Sequence, residues 1–153
     1  MDLYFLDTSA LIKRYVTETG SAWVTNLIEP TTGNRVFVAR ITAVEVVSAI
    51  KRRERSGNLS ATDSIASLTW FRKEFTSNYR SVDINAKLVS RTMNLAETHG
   101  LRGYDAVQLA AELEIYDQSQ SLGWSTPKLI CADLPLNVAA VAEGLSVDDP
   151  NSH

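Results

Sequence analysis

Four acidic residues stand where the chain changes from one kind of segment to another. Asp7 ends the apolar run Leu3-Tyr4-Phe5-Leu6, and two hydroxyls, Thr8 and Ser9, follow at once. Glu45 falls in the first turn of a helical pattern beginning at Thr42, and Asp105 in the first turn of another, "GYDAVQLAAE". Asp133 follows a short apolar run in "ICADLPLNVAA". Each has a local explanation. Asp7 and Asp133 suit caps or turns, Asp105 suits a helix N-terminus, and Thr42-Ala43-Val44-Glu45 is a capping-box pattern. Caps with no common purpose would scatter over both ends of a sheet, whereas these four can all reach one edge. Carboxylates crowded there repel one another unless a cation sits between them. Hard divalent ions, Mg²⁺ or Mn²⁺, take such oxygen ligands. The chain has no thiolate cluster and no HExxH pattern, which argues against zinc. An ion so held suits phosphodiester chemistry, because it activates water and neutralises charge on phosphate. Thr8 and Ser9 are placed to bond the ligands or a water from behind.

Residues of this kind need a sheet whose strands all deliver to one edge. Strand patterns fall at 3–6, "RVFVAR", "YRSVDI", "KLICA" and "LSV". Helical patterns lie between them: "SALIKRY", "SAWVTNLIE" with Ser21 as N-cap, "TAVEVVSAIKRRER" stopping at Gly57, and a segment starting at Ser60. Further helices are "NAKLVSRTMNLAETH" ending at Gly100, "YDAVQLAAELEIY" and "PLNVAAVAEG". Strands alternating with helices predict a three-layer α/β/α sandwich on a mostly parallel sheet. Ligands then bind at the carboxyl ends of the strands. Two helices between the second and third strands make a longer excursion, residues 42–75.

The totals agree with one domain. The 153 residues hold one core, and no repeat or linker divides them. We read residues 1–147 as the domain and 148–153 as a disordered tail. Cys131 is the only cysteine, so no internal disulfide can form, which fits a reducing compartment. No signal peptide or membrane span is legible, so the expected location is the cytoplasm. A net charge of -3 argues against a general nucleic-acid coat protein.

The blocks "LDTSALIKRY", "ITAVEVVSAI", "LRGYDAVQLAAE" and "ICADLPLNVAA" together resemble those of PIN domains, and more narrowly of VapC-type toxins of toxin–antitoxin systems. The resemblance covers about residues 2–147. It implies a five-stranded parallel sheet of order 3-2-1-4-5 and an endoribonuclease that depends on Mg²⁺ or Mn²⁺. Asp7, Glu45, Asp105 and Asp133 match the family's catalytic and metal-binding acids, with Asp133 at the most variable position. Thr8 and Ser9 match the polar pair after the first acid. Gln108 stands where the family often has histidine. The resemblance also implies an RNA substrate, a cognate antitoxin protein and a homodimer, and the apolar runs, too short for a membrane span, predict no membrane partner.

No general base is visible in the sequence. His99 precedes Gly100 at a helix end, where a cation suits the dipole, and His153 is in the tail. Lys13, Arg14, Arg40 and Arg102 lie near the acid-bearing blocks and are candidates to bind RNA, Arg102 first among them. The basic helix end Lys51, Arg52, Arg53 and Arg55 is either a solvated face or a phosphate contact. On the helix after Ser60, Ile65, Leu68, Phe71 and Phe75 form an apolar stripe, from which Trp70 points away. Trp70 and Arg52 are therefore candidates for antitoxin contact, although a neighbouring helix could equally cover Trp70.

Other acidic α/β proteins fit less well. A receiver-type signalling module wants an adjacent acidic pair after the first strand and a lysine after the fifth, and this chain has neither. A phosphotransferase of the haloacid-dehalogenase kind wants D-x-D, and "DTSA" lacks the second acid. An inert PIN-like binding module has no need of four intact acids.

Overall fold

Alternation within the first strand decides which helices cover which face. In β1 (Leu3–Leu6), Leu3 and Phe5 point one way and Leu6 the other, as successive side chains on a strand must. The computed structural model describes residues 1–153. After β1 come α1 (Thr8–Tyr15), α2 (Ser21–Ile28), β2 (Arg35–Ala39), α3 (Thr42–Arg55), α4 (Ala61–Ser77) and β3 (Tyr79–Val82). Then follow α5 (Ala86–His99), α6 (Gly103–Leu122), β4 (Lys128–Ile130), α7 (Leu134–Ala142) and β5 (Ser146–Asp148).

The five strands are parallel, in the order β3-β2-β1-β4-β5. Phe5 of β1 is paired with Phe37 on one side and Leu129 on the other, which fixes the register at the centre of the sheet. On one face, Leu3, Phe5, Phe37 and Leu129 pack with Leu109 and Leu136 of α6 and α7. On the other, Leu6, Val36, Val38 and Ile130 pack with Leu11, Val24, Ile50 and Phe71 of α1 to α4. No helix is long and apolar enough to cross a membrane.

A polar network locks α1 to α4 and β3 on the second face. Arg14 Nε donates to Glu74 Oε2 at 2.7 Å, and Nη2 donates to Oε1 at 2.8 Å. The Tyr15 hydroxyl donates to Glu74 Oε2 at 2.6 Å and meets the Tyr79 hydroxyl. Burial raises Glu74, but the hydrogen bonds of Arg14, Tyr15 and Trp70 and the charge of Arg14 outweigh it, and its pKa falls to about 2. This network explains the true inner stripe of α4, which is Ser64, Ser67, Phe71 and Glu74. Ile65, expected on that stripe, is 67% exposed. Leu68, Phe71 and Phe75 of the expected stripe do pack on the core, and the inner face is rotated away from Ile65 because Ser67 and Glu74 turn inward to meet α1.

Two further expectations change. Ser21 is not the N-cap of α2. Gly20 holds that position in the left-handed region, and Ser21 Oγ accepts from Glu18 N and donates to Val16 O. Residues 148–153, expected to be disordered, complete β5 and a 3-10 turn at Pro150–Ser152. Pro150 is buried, His153 stacks on Trp23 at 4.0 Å, and Asn151 Oδ1 accepts from Lys13 Nζ at 2.9 Å. An apolar wedge and a buried lysine hold a segment whose composition alone reads as loose.

Candidate active site

Asp7 sits at the end of β1 and caps α1. Its Oδ1 accepts from Ala10 N at 3.1 Å. The Ser9 hydroxyl lies 2.7 Å from Oδ1 and 2.9 Å from Oδ2. The cap reading of Asp7 is thus correct, but a surface cap does not need to be only 4% exposed. Burial pushes the carboxyl up to about 6, against the lowering effect of the Ser9 and Ala10 hydrogen bonds.

Glu45 comes from α3 and does not close a capping box. Ile41 takes the N-cap position without a side-chain bond, and Thr42 is buried in the first turn. Glu45 Oε1 instead accepts from Thr8 Oγ1 at 3.0 Å and from Gln108 Nε2 at 2.8 Å. Gln108 Nε2 also donates to Thr42 Oγ1 at 2.9 Å and to Thr8 Oγ1 at 3.3 Å. One amide from α6 therefore pins the start of α3 to the start of α1.

Asp105 and Asp133 enter from the first turn of α6 and the N-cap of α7. Asp133 Oδ1 accepts from Leu136 N at 3.2 Å, so its cap reading is also correct. Arg102 joins the pair: Nε donates to Asp105 at 3.1 Å and Nη2 to Asp133 at 3.4 Å. Burial and the charge of Asp133 raise the pKa of Asp105, and Arg102 opposes them. All four acids, with Thr8, Ser9, Gln108 and Arg102, line one cleft of about 510 Å³.

No group of three acids is already arranged to hold an ion. The donor set nevertheless fits a hard divalent cation. It is made of carboxylate and hydroxyl oxygens, and the raised Asp7 and Asp105 are in the condition that a nearby cation relieves.

The family model described as the PIN domain matches residues 4–114. The chain is 31% identical over 150 residues to Ribonuclease VapC45 of Mycobacterium tuberculosis (strain CDC 1551 / Oshkosh), across 96% of this chain and 95% of that one. The chain belongs to the PIN-domain family, among its VapC-type ribonucleases. Solved structures agree in fold. PAE2754 from Pyrobaculum aerophilum matches with a TM-score of 0.62 at 19% identity, covering 99% of this chain and 91% of that one. VapBC2 from Rickettsia felis, bound to a DNA fragment from its promoter, matches with a TM-score of 0.59 at 13% identity, covering 96% and 98%.

Within this PIN domain the basic candidates separate. Only Arg102 of the four reaches the cleft. Lys13 and Arg14 are buried. Lys13 bonds Glu18, Thr19 O and Asn151, and Arg14 bonds Glu74 and Glu29. α1 is short and covered by α2, α3 and α4, so its long basic side chains are spent inside the fold. Arg40 pairs with Asp83 at the surface, away from the cleft. Arg52, a candidate for phosphate or antitoxin contact, lines the cleft together with Arg53. Trp70 is 41% exposed, its ring edge on Tyr15 and its face under Arg14, so it is half covered and half presented. His99 is held by Glu143 at 2.7 Å, away from the acids.

Two residues of this PIN domain had no role assigned to them from the sequence. Gln108, noted there only as standing where the family often has histidine, organises Glu45, as above. Glu112 lies in the interior of α6 with no exposure. Asp105, Gln108 and Glu112 are spaced i, i+3, i+7 and so share one helix face. That spacing was the signal available.

Proposed function

We propose that this chain is a divalent-metal-dependent endoribonuclease acting as the toxin of a toxin–antitoxin pair. The observation that carries this is the convergence of Asp7, Glu45, Asp105 and Asp133, from four different elements, on one cleft. These acids hold Mg²⁺ or Mn²⁺. The ion supplies activation of water and charge neutralisation at the scissile phosphate. Ser9 orients Asp7, while Thr8 and Gln108 orient Glu45. Arg102, whose side chain is largely exposed, can exchange its carboxylates for a phosphate oxygen. Arg52 and Arg53 give an otherwise acidic cleft a positive wall for the polyanion.

The partners follow from the same reading. A cognate antitoxin lies across the α3–α4 excursion, meets the exposed part of Trp70, and reaches the cleft beside Arg52. The toxin works in the cytoplasm as a homodimer.

Incubation of total RNA with the purified chain tests the activity. Cleavage should need Mg²⁺ or Mn²⁺, and should disappear in Asp7→Asn and Asp105→Asn. Full cleavage in excess chelator sinks the mechanism. Co-expression with the neighbouring open reading frame should relieve growth arrest and yield a complex. Failure of the two proteins to co-purify removes the partner assignment.

A further inference from the structure

Glu112 is fully buried, and neither of its carboxylate oxygens has a hydrogen-bond partner. Buried acids are normally paired or hydrogen-bonded, because an isolated charge in the interior is costly. No lysine, arginine or histidine reaches it. Its position is set by α6. Asp105 opens at the cleft, Gln108 lies one turn deeper and bonds Thr8 and Glu45, and Glu112 lies one turn deeper again. That places it about 6 Å along the axis from Gln108 and about 10 Å from Asp105. The charged group that acts on it is Asp7, itself buried at the end of β1; the other titratable group beside Asp7 is the Cys131 thiol on the β4 side, which burial keeps neutral.

Two buried acids in each other's field cannot both ionise cheaply. Of the two, Glu112 is the one with no donor to stabilise its charge, so without a cation nearby it stays neutral. A divalent cation held at Asp7 reverses the sign of that field. We propose that Glu112 is a positioning residue for the divalent ion, a buried carboxylic acid behind Asp7 that gives up its proton when the ion arrives and adds its charge to the ion's hold. The O–H bond breaks heterolytically, the proton passes to solvent, and no electrons are transferred. The inference rests on the metal-dependent reading of the cleft.

Calorimetric titration of the full chain with Mn²⁺ tests it, at pH 7 in two buffers of different ionisation enthalpy. Glu112→Gln keeps size and shape and removes a buried acid, so it should fold and, without metal, melt at or above wild type. It should bind Mn²⁺ about tenfold more weakly, a modest demand on charges separated by about two helical turns. It should also release about one proton fewer per ion bound. Glu112→Asp, which keeps the carboxyl, should restore proton release. Equal affinity and equal proton release in wild type and Glu112→Gln would overturn the proposal, and so would a loss of affinity with no change in proton count, which marks a packing effect. Wild type that binds no Mn²⁺, with RNA cleavage persisting in chelator, defeats the metal-dependent reading itself and the inference with it.

Discussion

The Arg102 guanidinium bridges to Asp133 at 3.4 Å, across 31 residues of sequence, while holding Asp105 at 3.1 Å. The side chain is 80% exposed, so these contacts are weak as stabilising pairs. A cation there nevertheless competes with a metal ion for the same two carboxylates. Arg102→Ala should leave stability within about 0.5 kcal/mol. It should tighten Mn²⁺ binding a few-fold, roughly the value of one exposed charge pair, yet weaken RNA binding. Calorimetry with Mn²⁺ and an RNA-binding assay in Ca²⁺ check the two signs. Weaker Mn²⁺ binding would show that Arg102 supports the ligands rather than competing for them.

Asp7→Asn separates cap from charge. The amide oxygen can still accept from Ala10 N, so α1 should keep its start. In metal-free protein the wild-type carboxyl is raised from 3.8 to about 6 by burial. The folded state then holds more protons than the unfolded state between those values, and stability falls as pH rises through them. The difference is about 3 kcal/mol at most. Melts in chelator at pH 4 and pH 7 should show wild type losing stability relative to Asp7→Asn by up to that amount. Parallel pH profiles would place Asp7 in a more solvated setting.

Glu74 should show the opposite slope. Its pKa is held at about 2, below the ordinary 4.5, so its contribution is present above 4.5 and is lost as pH falls through about 2. Glu74→Gln removes that slope and leaves Arg14 buried without its carboxylate. We expect a loss of about 3 kcal/mol at neutral pH, shrinking as pH drops toward 2. Denaturant unfolding at pH 7 and pH 3 measures both. A uniform loss at both pH values would assign the effect to packing.

Gln108→Ala should release Glu45 from its anchor without touching the main core. The fold should lose about 1–2 kcal/mol for the hydrogen bonds. RNA cleavage should fall about tenfold to one hundredfold, the usual effect of removing support behind a metal ligand. Gln108→His, which restores a donor, should recover part of the rate. Unchanged cleavage in Gln108→Ala would mean that Glu45 needs no orientation.

The strand pattern, the parallel sheet and the shared edge of the acids were legible because Asp7, Glu45, Asp105 and Asp133 all follow strands or open helices, where backbone geometry fixes direction. All four are at once caps or first-turn residues and cleft residues, and only at Glu45, where the capping box does not form, did the local reading compete with the functional one. Lys13 and Arg14 were misread because proximity in sequence to Asp7 says nothing about the three helices that wrap α1. Ile65 and Ser67 changed places because a buried ion pair, Arg14 with Glu74, outweighed apolar periodicity in orienting α4. Glu112 was hidden in the stretch of α6 from Ala106 to Leu113, which is buried nearly all round, so that only its spacing from Asp105 and Gln108 set it apart from the core.

The Ser9 hydroxyl donates to Asp7 Oδ1 at 2.7 Å and accepts from Ala132 N at 2.9 Å. One oxygen atom thus spans the ends of two neighbouring strands, each of which carries an acid to the cleft. It acts as a gauge block between them. Any shear of β4 against β1 must stretch that pair of bonds as well as the backbone ladder, so the spacing between Asp7 and Asp133 is held in part by a side chain that belongs to neither.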